Sequence, residues 1–238
     1  PEWKQMGSDI DGEAAGDQSG ISVSLSANGS IVAIGADANS AAAGHVRVYQ
    51  YVSGLYASNW IQVGYDIDGE AAGDSTGKSV SLSADGTILA YGADTYGTNL
   101  GRVYTYELIK QPVTALVKMG SPIGGEAAGD KSGYSVSLSS DGTILAIGSY
   151  ANEGYRGQVR VYDYDNTRTP LWLQRGSDID GELAYDYSGD SVSLSADGTI
   201  LAIGAYGNDN NGSSSESGHV RVYQYTNNNW EQLGSDIE

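Results

Sequence analysis

The sequence has no cysteine and no phenylalanine, only 4 prolines, and 12 Lys and Arg against 30 Asp and Glu. Without cysteine there can be no disulfide, thiolate metal site or cysteine nucleophile. The formal net charge of −18 repels nucleic acid and anionic lipid surfaces, so neither is an expected partner. No apolar run reaches the ~18 residues that span a bilayer, so membrane insertion is not expected. No segment keeps a helical hydrophobic period over about ten residues. What is abundant is glycine (34), tyrosine (18) and short runs of Val, Ile and Leu, in a chain of 238 residues. That length is ample for a sizeable core.

The runs recur. The segment from Trp3 to Ile10 returns at Trp60, Leu116, Trp172 and Trp230, spaced by 57, 56, 56 and 58 residues. The repeats are 3–59, 60–115, 116–171 and 172–229, with a partial repeat at 230–238. Within each, an acidic loop follows the Trp segment. Then come Ser-Val-Ser-Leu, an Asn-Gly or Asp-Gly pair, an Ile-rich run and a segment rich in Arg, Val and Tyr. A self-similar period of this size marks a repeat architecture.

Asn28-Gly29, Asp85-Gly86, Asp141-Gly142 and Asp197-Gly198 each sit between two apolar or alternating runs, which predicts a hairpin with a two-residue type I′ turn. Ser22–Ser26 alternates, whereas Ile31–Ala36 is nearly continuous, as expected of a strand covered on both faces. The Val- and Tyr-rich segment and the Trp segment supply two more strands. The expected fold is therefore all-β, a β-propeller of four-stranded antiparallel blades. It has four repeats of about 57 residues plus one extra outer strand. A linear stack of the same sheets is the competing architecture. If four blades close one ring, Trp3–Ile10 and Trp230–Ile237 compete for a single place.

Ser19-Gly20 before strand one, Gly35-Ala36 at the end of strand two and Gly44 before strand three recur in every copy. In these elements the chain resembles the FG-GAP repeat family, known from integrin α-subunit propellers, and most of all a marine-type surface repeat array. The resemblance implies propeller blades and an extracellular or cell-surface place. Two departures stand out. The family's Phe is replaced by Ser19, Thr76, Ser132 and Ser188, and its calcium loop between strands one and two is here a tight turn.

Chemistry concentrates in the acidic loop. Asp9, Asp11, Glu13 and Asp17 are spaced so that alternate oxygens can converge on a hard cation such as calcium. Asp66, Asp68, Glu70 and Asp74 repeat the set, as do Asp178, Asp180, Glu182 and Asp186; copy three keeps only Glu126 and Asp130. With Asp236 and Glu238 of the partial fifth repeat, sixteen of the thirty acids lie in these loops, so the charge is patterned. The competing reading is structural: the acids cap turns and pair with Arg47, Arg102, Arg160 and Arg221, one per copy. Tyr49, Tyr104, Tyr162 and Tyr223 read as register equivalents and so as packing residues.

No catalytic residue is assigned and the chain reads as no enzyme. His45 and His219 share a repeat position without a nucleophile in the pattern, and are expected to be exposed at a strand edge. Binding specificity is sought where copies differ, at Tyr96, Tyr150, Tyr155 and Tyr206 in the variable rim loops. Asn28 and Asn211 begin Asn-x-Ser glycosylation sequons. The expected function is an extracellular structural or adhesion module, with calcium as the one cofactor considered. Its partners are itself, head to tail or in a ring, or other surface proteins and glycans. A lectin-like carbohydrate binder is the alternative.

Overall fold

Alternating and β-branched runs separated by glycine turns form strands throughout. The computed structural model describes residues 2–54, 58–109, 115–169, 171–208 and 217–237. The first sheet contains β1 (Ser22–Leu25), β2 (Ile31–Ala36), β3 (His45–Ser53) and β4 (Ser58–Gln62), with β5 (Ile67–Asp68) also on β3. The second contains β6 (Thr76–Leu82), β7 (Ile88–Ala93), β8 (Arg102–Ile109), β9 (Ala115–Lys118) and β10 (Ile123–Gly124). The third contains β11 (Ser135–Leu138), β12 (Ile144–Ser149), β13 (Gln158–Tyr164), β14 (Trp172–Gln174) and β15 (Ile179–Asp180). The fourth contains β16 (Ser191–Leu194), β17 (Ile200–Ala205), β18 (His219–Thr226) and β19 (Asn229–Gln232). All pairs within the sheets are antiparallel, and the third strand of each sheet pairs with the strand that follows it, which bears Trp60, Trp172 or Trp230 and, in sheet two, Leu116.

The hairpin turns differ from the expected type. Gly29, Gly86, Gly142 and Gly198 have positive φ, whereas Asn28, Asp85, Asp141 and Asp197 do not. The N–H of Gly29 donates to Ser26 O, so the turn brackets Ala27-Asn28 and the glycine follows it as a bulge. The Asx side chain accounts for this choice. Asp197 Oδ1 accepts from Ser195 Oγ, Thr199 N and Thr199 Oγ1, and Asn28 Oδ1 accepts an equivalent set. Asn28 is exposed, with its amide oxygen committed to the turn; Asn211 lies outside the described residues.

Register exposes a slip in copy two. His45 pairs with Ala36 and Arg102 pairs with Ala93, so Arg102 is the equivalent of His45, not of Arg47. Likewise Tyr106 opposite Leu89 matches Tyr49 opposite Val32, and Tyr104 takes the place of Arg47. Copy two runs Gly-Arg-Val-Tyr where the others carry one more residue pair before the Tyr, and aligning the Arg letters hid the shift.

The core lies between sheets, not within them. Ile31, Ala33, Val46 and Val48 of sheet one pack against Val80, Leu82, Leu89 and Tyr91 of sheet two. Two further clusters fill the second and third joints. The same hydrogen bonds stitch each joint. Ser22 Oγ, Ser79 Oγ and Ser135 Oγ donate to Gly77 O, Gly133 O and Gly189 O of the next sheet. Leu82, Leu138 and Leu194 N–H groups donate back to Ser24, Ser81 and Ser137. Ala27, Ala84 and Ser140 N–H groups donate to Ala84, Ser140 and Ala196 O. The serine alternation of strand one is thus one face of a joint, and Val and Leu are the other.

The two end faces are left open. Val23 and Leu25 are 64% and 57% exposed, whereas their equivalents Val80 and Leu82 are 8% and 9% exposed. At the other end Ser191, Ser193 and Val220 are exposed, whereas Val159, the equivalent of Val220, is fully buried. Trp230 holds the outer place in sheet four, paired through β19. Trp3 is fully exposed, and Met6 and Gly7 lie beside Trp60, whose Nε1 donates to Met6 O.

Candidate functional site

Two regions of one rim carry chemistry. The acidic loop of each copy folds back on its own fourth acid. Asp17 Oδ2 accepts from Ala14 N, Asp74 from Ala71 N, Asp130 from Glu126 and Ala127 N, and Asp186 from Glu182 and Leu183 N. These four carboxylates are buried. The Ala14 N–H holds the Asp17 carboxyl below its usual range. The first acid is held by the glutamine four residues earlier: Gln5 to Asp9, Gln62 to Asp66 and Gln174 to Asp178. At the third position the backbone matters. Arg47, Arg160 and Arg221 donate from Nη2 to Asp11 O, Gly124 O and Asp180 O, each at 2.8 Å. Copy three therefore keeps the bond although Gly124 has no carboxylate.

The remaining acid, Glu13, turns toward the next copy. It lies 3.8 Å from His45 Nδ1, and Asp66 of the following loop completes a trio with ligand atoms within 4.8 Å of one another. Glu182, His219 and Asp236 form the same trio in sheet four. Both histidines are buried, contrary to the exposed strand-edge expectation, because the acidic loops on either side close over the start of strand three. Asp68 and Asp180 lie on the short strands β5 and β15, Asp68 in the same cleft as Glu13 and Asp66, and Glu70 lies 3.9 Å from Arg102, the equivalent of His45.

Beside this rim lies a tyrosine platform. Tyr134, Tyr150, Tyr155, Tyr185, Tyr187 and Tyr206 form a continuous series of ring contacts. Tyr187 and Tyr206 stack at 4.7 Å and 11°, and Tyr155 and Tyr185 at 5.9 Å and 17°. Three of the four rim tyrosines expected from sequence belong to it; Tyr96 instead lies beneath the Arg102 guanidinium at 3.7 Å. Burial, with Tyr134 beside it, pushes the Tyr150 hydroxyl up to about 12. Tyr155, Tyr185 and Tyr187 have left-handed backbones, with φ of 65°, 69° and 56°. The equivalents Ala42 and Asn99 of Tyr155, and Gln18, Ser75 and Lys131 of Tyr187, have the same left-handed φ, so at these two tyrosines it belongs to the repeat.

Four-stranded antiparallel meanders packed face to face along their first strands are β-propeller blades. More narrowly, residues 179–223 match the FG-GAP repeat family, which bears out the resemblance carried by the glycine motifs. No curated protein matches the chain by sequence. Among solved structures, a protein assigned as a 6-phosphogluconolactonase in Bacteroides uniformis aligns over 92% of this chain and 56% of its own, at 13% identity and a TM-score of 0.60. The periplasmic gluconolactonase PpgL of Pseudomonas aeruginosa aligns over 91% of this chain and 57% of its own, at 16% identity and a TM-score of 0.58. Sqt1 of Chaetomium thermophilum aligns at 15% identity and a TM-score of 0.53, over 88% of this chain and 45% of its own. The chain thus spans little more than half the length of the first two. Such identities carry the fold alone. The expectation that the chain is no enzyme is overturned all the same, because two of these neighbours, on the same scaffold, carry lactonase names. Among the described residues no helix is long and apolar enough to cross a membrane.

Proposed function

We propose that this β-propeller module acts in an extracellular or cell-surface adhesive array, and that it assembles by stacking its open faces. One observation carries the reading: the two faces are the two halves of the joint that the chain already makes three times. Ser191 Oγ matches the donor of Ser22, and Gly20 O the acceptor of Gly77. Ser193 Oγ matches Ser24 as acceptor for the Leu25 N–H, and Ala196 N–H matches Ala27 as donor to Ala27 O. The apolar halves match as well, with Val220 facing Val23 and Leu25 as Val46 faces Val80 and Leu82. Burying Val23 and Leu25 would contribute roughly 2 kcal/mol each. Repetition along the array would multiply weak ligand contacts by avidity. Calcium in the acidic loops belongs to the same proposal, through Asp9 with Asp11 and Asp178 with Asp180, since the fourth acid of each of these loops is committed to its turn.

The test is light scattering on the purified chain across a concentration series. We expect concentration-dependent oligomers, and monomers only for Val23→Asp combined with Leu25→Asp, whose side chains are exposed in the single chain and so do not hold its fold. A wild-type chain that stays monomeric at every concentration would refute assembly. The tyrosine platform favours a second reading, carbohydrate binding, because stacked rings on a rim suit the faces of sugar rings.

A further inference from the structure

We propose that the chain binds two transition-metal dications, zinc being the best match, one at Glu13, His45 and Asp66 and one at Glu182, His219 and Asp236. This goes beyond the assembly reading and does not depend on it. Each site offers one imidazole nitrogen and two carboxylates, with all three ligand atoms within 4.8 Å of one another. A tetrahedral zinc with bonds of about 2.0–2.1 Å needs ligand atoms about 3.3 Å apart. His45 Nδ1 to Glu13 Oε2 is 3.8 Å and His219 Nδ1 to Asp236 Oδ2 is 3.5 Å. These separations are too long for hydrogen bonds and need only a small closure around an ion.

The histidines supply the independent observation. His45 is 1% exposed and His219 5%, and neither ring nitrogen of either has a hydrogen-bond partner among the described residues. Buried imidazoles are normally satisfied, and an unmade bond is costly. A metal on Nδ1 supplies the missing partner. The carboxylates are already oriented as outer-shell partners would orient them, by Gln62 Nε2 to Asp66 at 2.5 Å and Gln232 Nε2 to Asp236 at 2.7 Å. A solvent-open cleft lined by Glu13, Gln62, Asp66 and Asp68 gives the ion a way in. An imidazole with two carboxylates selects a borderline metal such as zinc over calcium, which prefers an all-oxygen shell.

The other two copies show what the same position does without an ion. In copy three Gln158 replaces the histidine, and its Nε2 donates to Glu126 and Asp178 at 3.3 Å each. In copy two Pro122 removes one acid, and Arg102 ion-pairs with Glu70, the acid that remains. The histidine thus occurs where two carboxylates converge, and neither a cationic nor an amide side chain satisfies them.

The experiment is calorimetric titration of the EDTA-stripped chain with zinc chloride, alongside thermal melts. We expect two zinc equivalents per chain and a Tm raised by zinc. His45→Gln should halve the stoichiometry. His45→Gln with His219→Gln, which copies the Gln of copy three, should bind none while keeping the metal-free Tm. Cobalt in place of zinc should give the visible absorption of a low-symmetry site, lost in the double variant. No stoichiometric zinc, or zinc binding undiminished in the double variant, would overturn the proposal. So would calcium binding at the same stoichiometry with zinc unable to displace it.

Discussion

Tyr185 has a φ of +69° at a place where Gly16, Gly73 and Gly129 stand in the other copies, with φ of +96°, +86° and +98°. The left-handed backbone costs an L-residue about 1–2 kcal/mol, and its stack on Tyr155 returns only about 0.5–1.5 kcal/mol. Nothing in the fold requires a tyrosine there. Tyr185→Gly should therefore leave the Tm unchanged or raise it, and should weaken glycan binding if the platform binds sugar. A glycan array with a melting curve reads both, and a lower Tm with unchanged binding would make the tyrosine structural. Tyr150, Tyr155 and Tyr206 were legible in the sequence because they sit in loops that vary between copies. Tyr185 and Tyr187 were not, because they hide inside a loop that reads as one acidic motif. The signal was there in the change from Gly-Glu-Ala-Ala-Gly-Asp to Gly-Glu-Leu-Ala-Tyr-Asp. The buried histidines were missed for a related reason. Their burial comes from acids more than fifty residues apart in sequence, such as Glu13 and Asp66, which only the joint between blades brings together.

At the scale of the element, strand two carries a glycine that each joint depends on. A Cβ on Gly92 would run into the carbonyl of Gly133 in the next blade, and Gly35 and Gly148 meet Gly77 and Gly189 in the same way. At Gly204 the close atom is Ser191 Oγ of its own strand pair, a side chain that can rotate away. Gly92→Ala should destabilise the chain by about 1–3 kcal/mol or more, the cost of overpacking against backbone, and Gly204→Ala by much less. Denaturant melts separate the two, and equal losses would contradict the joint geometry. If the open faces do stack, Gly204→Ala should also suppress oligomers while the monomer stays folded. The strands, their order and the doubly covered strand two were readable from the alternation of Ser with Val and Leu and from the turn glycines. The turn type was not, because an Asn-Gly pair fits both a two-residue turn and a turn followed by a glycine bulge. The serine oxygen that receives the strand-one N–H across the joint decides nothing until blades are placed side by side.

On the scale of the whole molecule, charge opposes what the open faces favour. Each chain carries −18, and the acidic loops lie on one rim, so chains stacked end to end bring like-charged rims into line. The internal joints are tethered by the chain and tolerate this; a joint between copies is bimolecular and must overcome it. The joint itself is built of serine hydroxyls, backbone groups, glycines and aliphatic side chains, none of which salt weakens by screening. Raising ionic strength from about 0.01 to about 1 M shortens the Debye length from about 30 to about 3 Å, which removes the long-range repulsion and leaves the short-range contacts. Self-association should therefore strengthen with sodium chloride, seen as a rising weight-average mass in sedimentation at fixed protein concentration. Weaker association in high salt would mean that ion pairs hold the copies together. The contact would then lie on the charged rim instead of the Val23 and Ser191 faces.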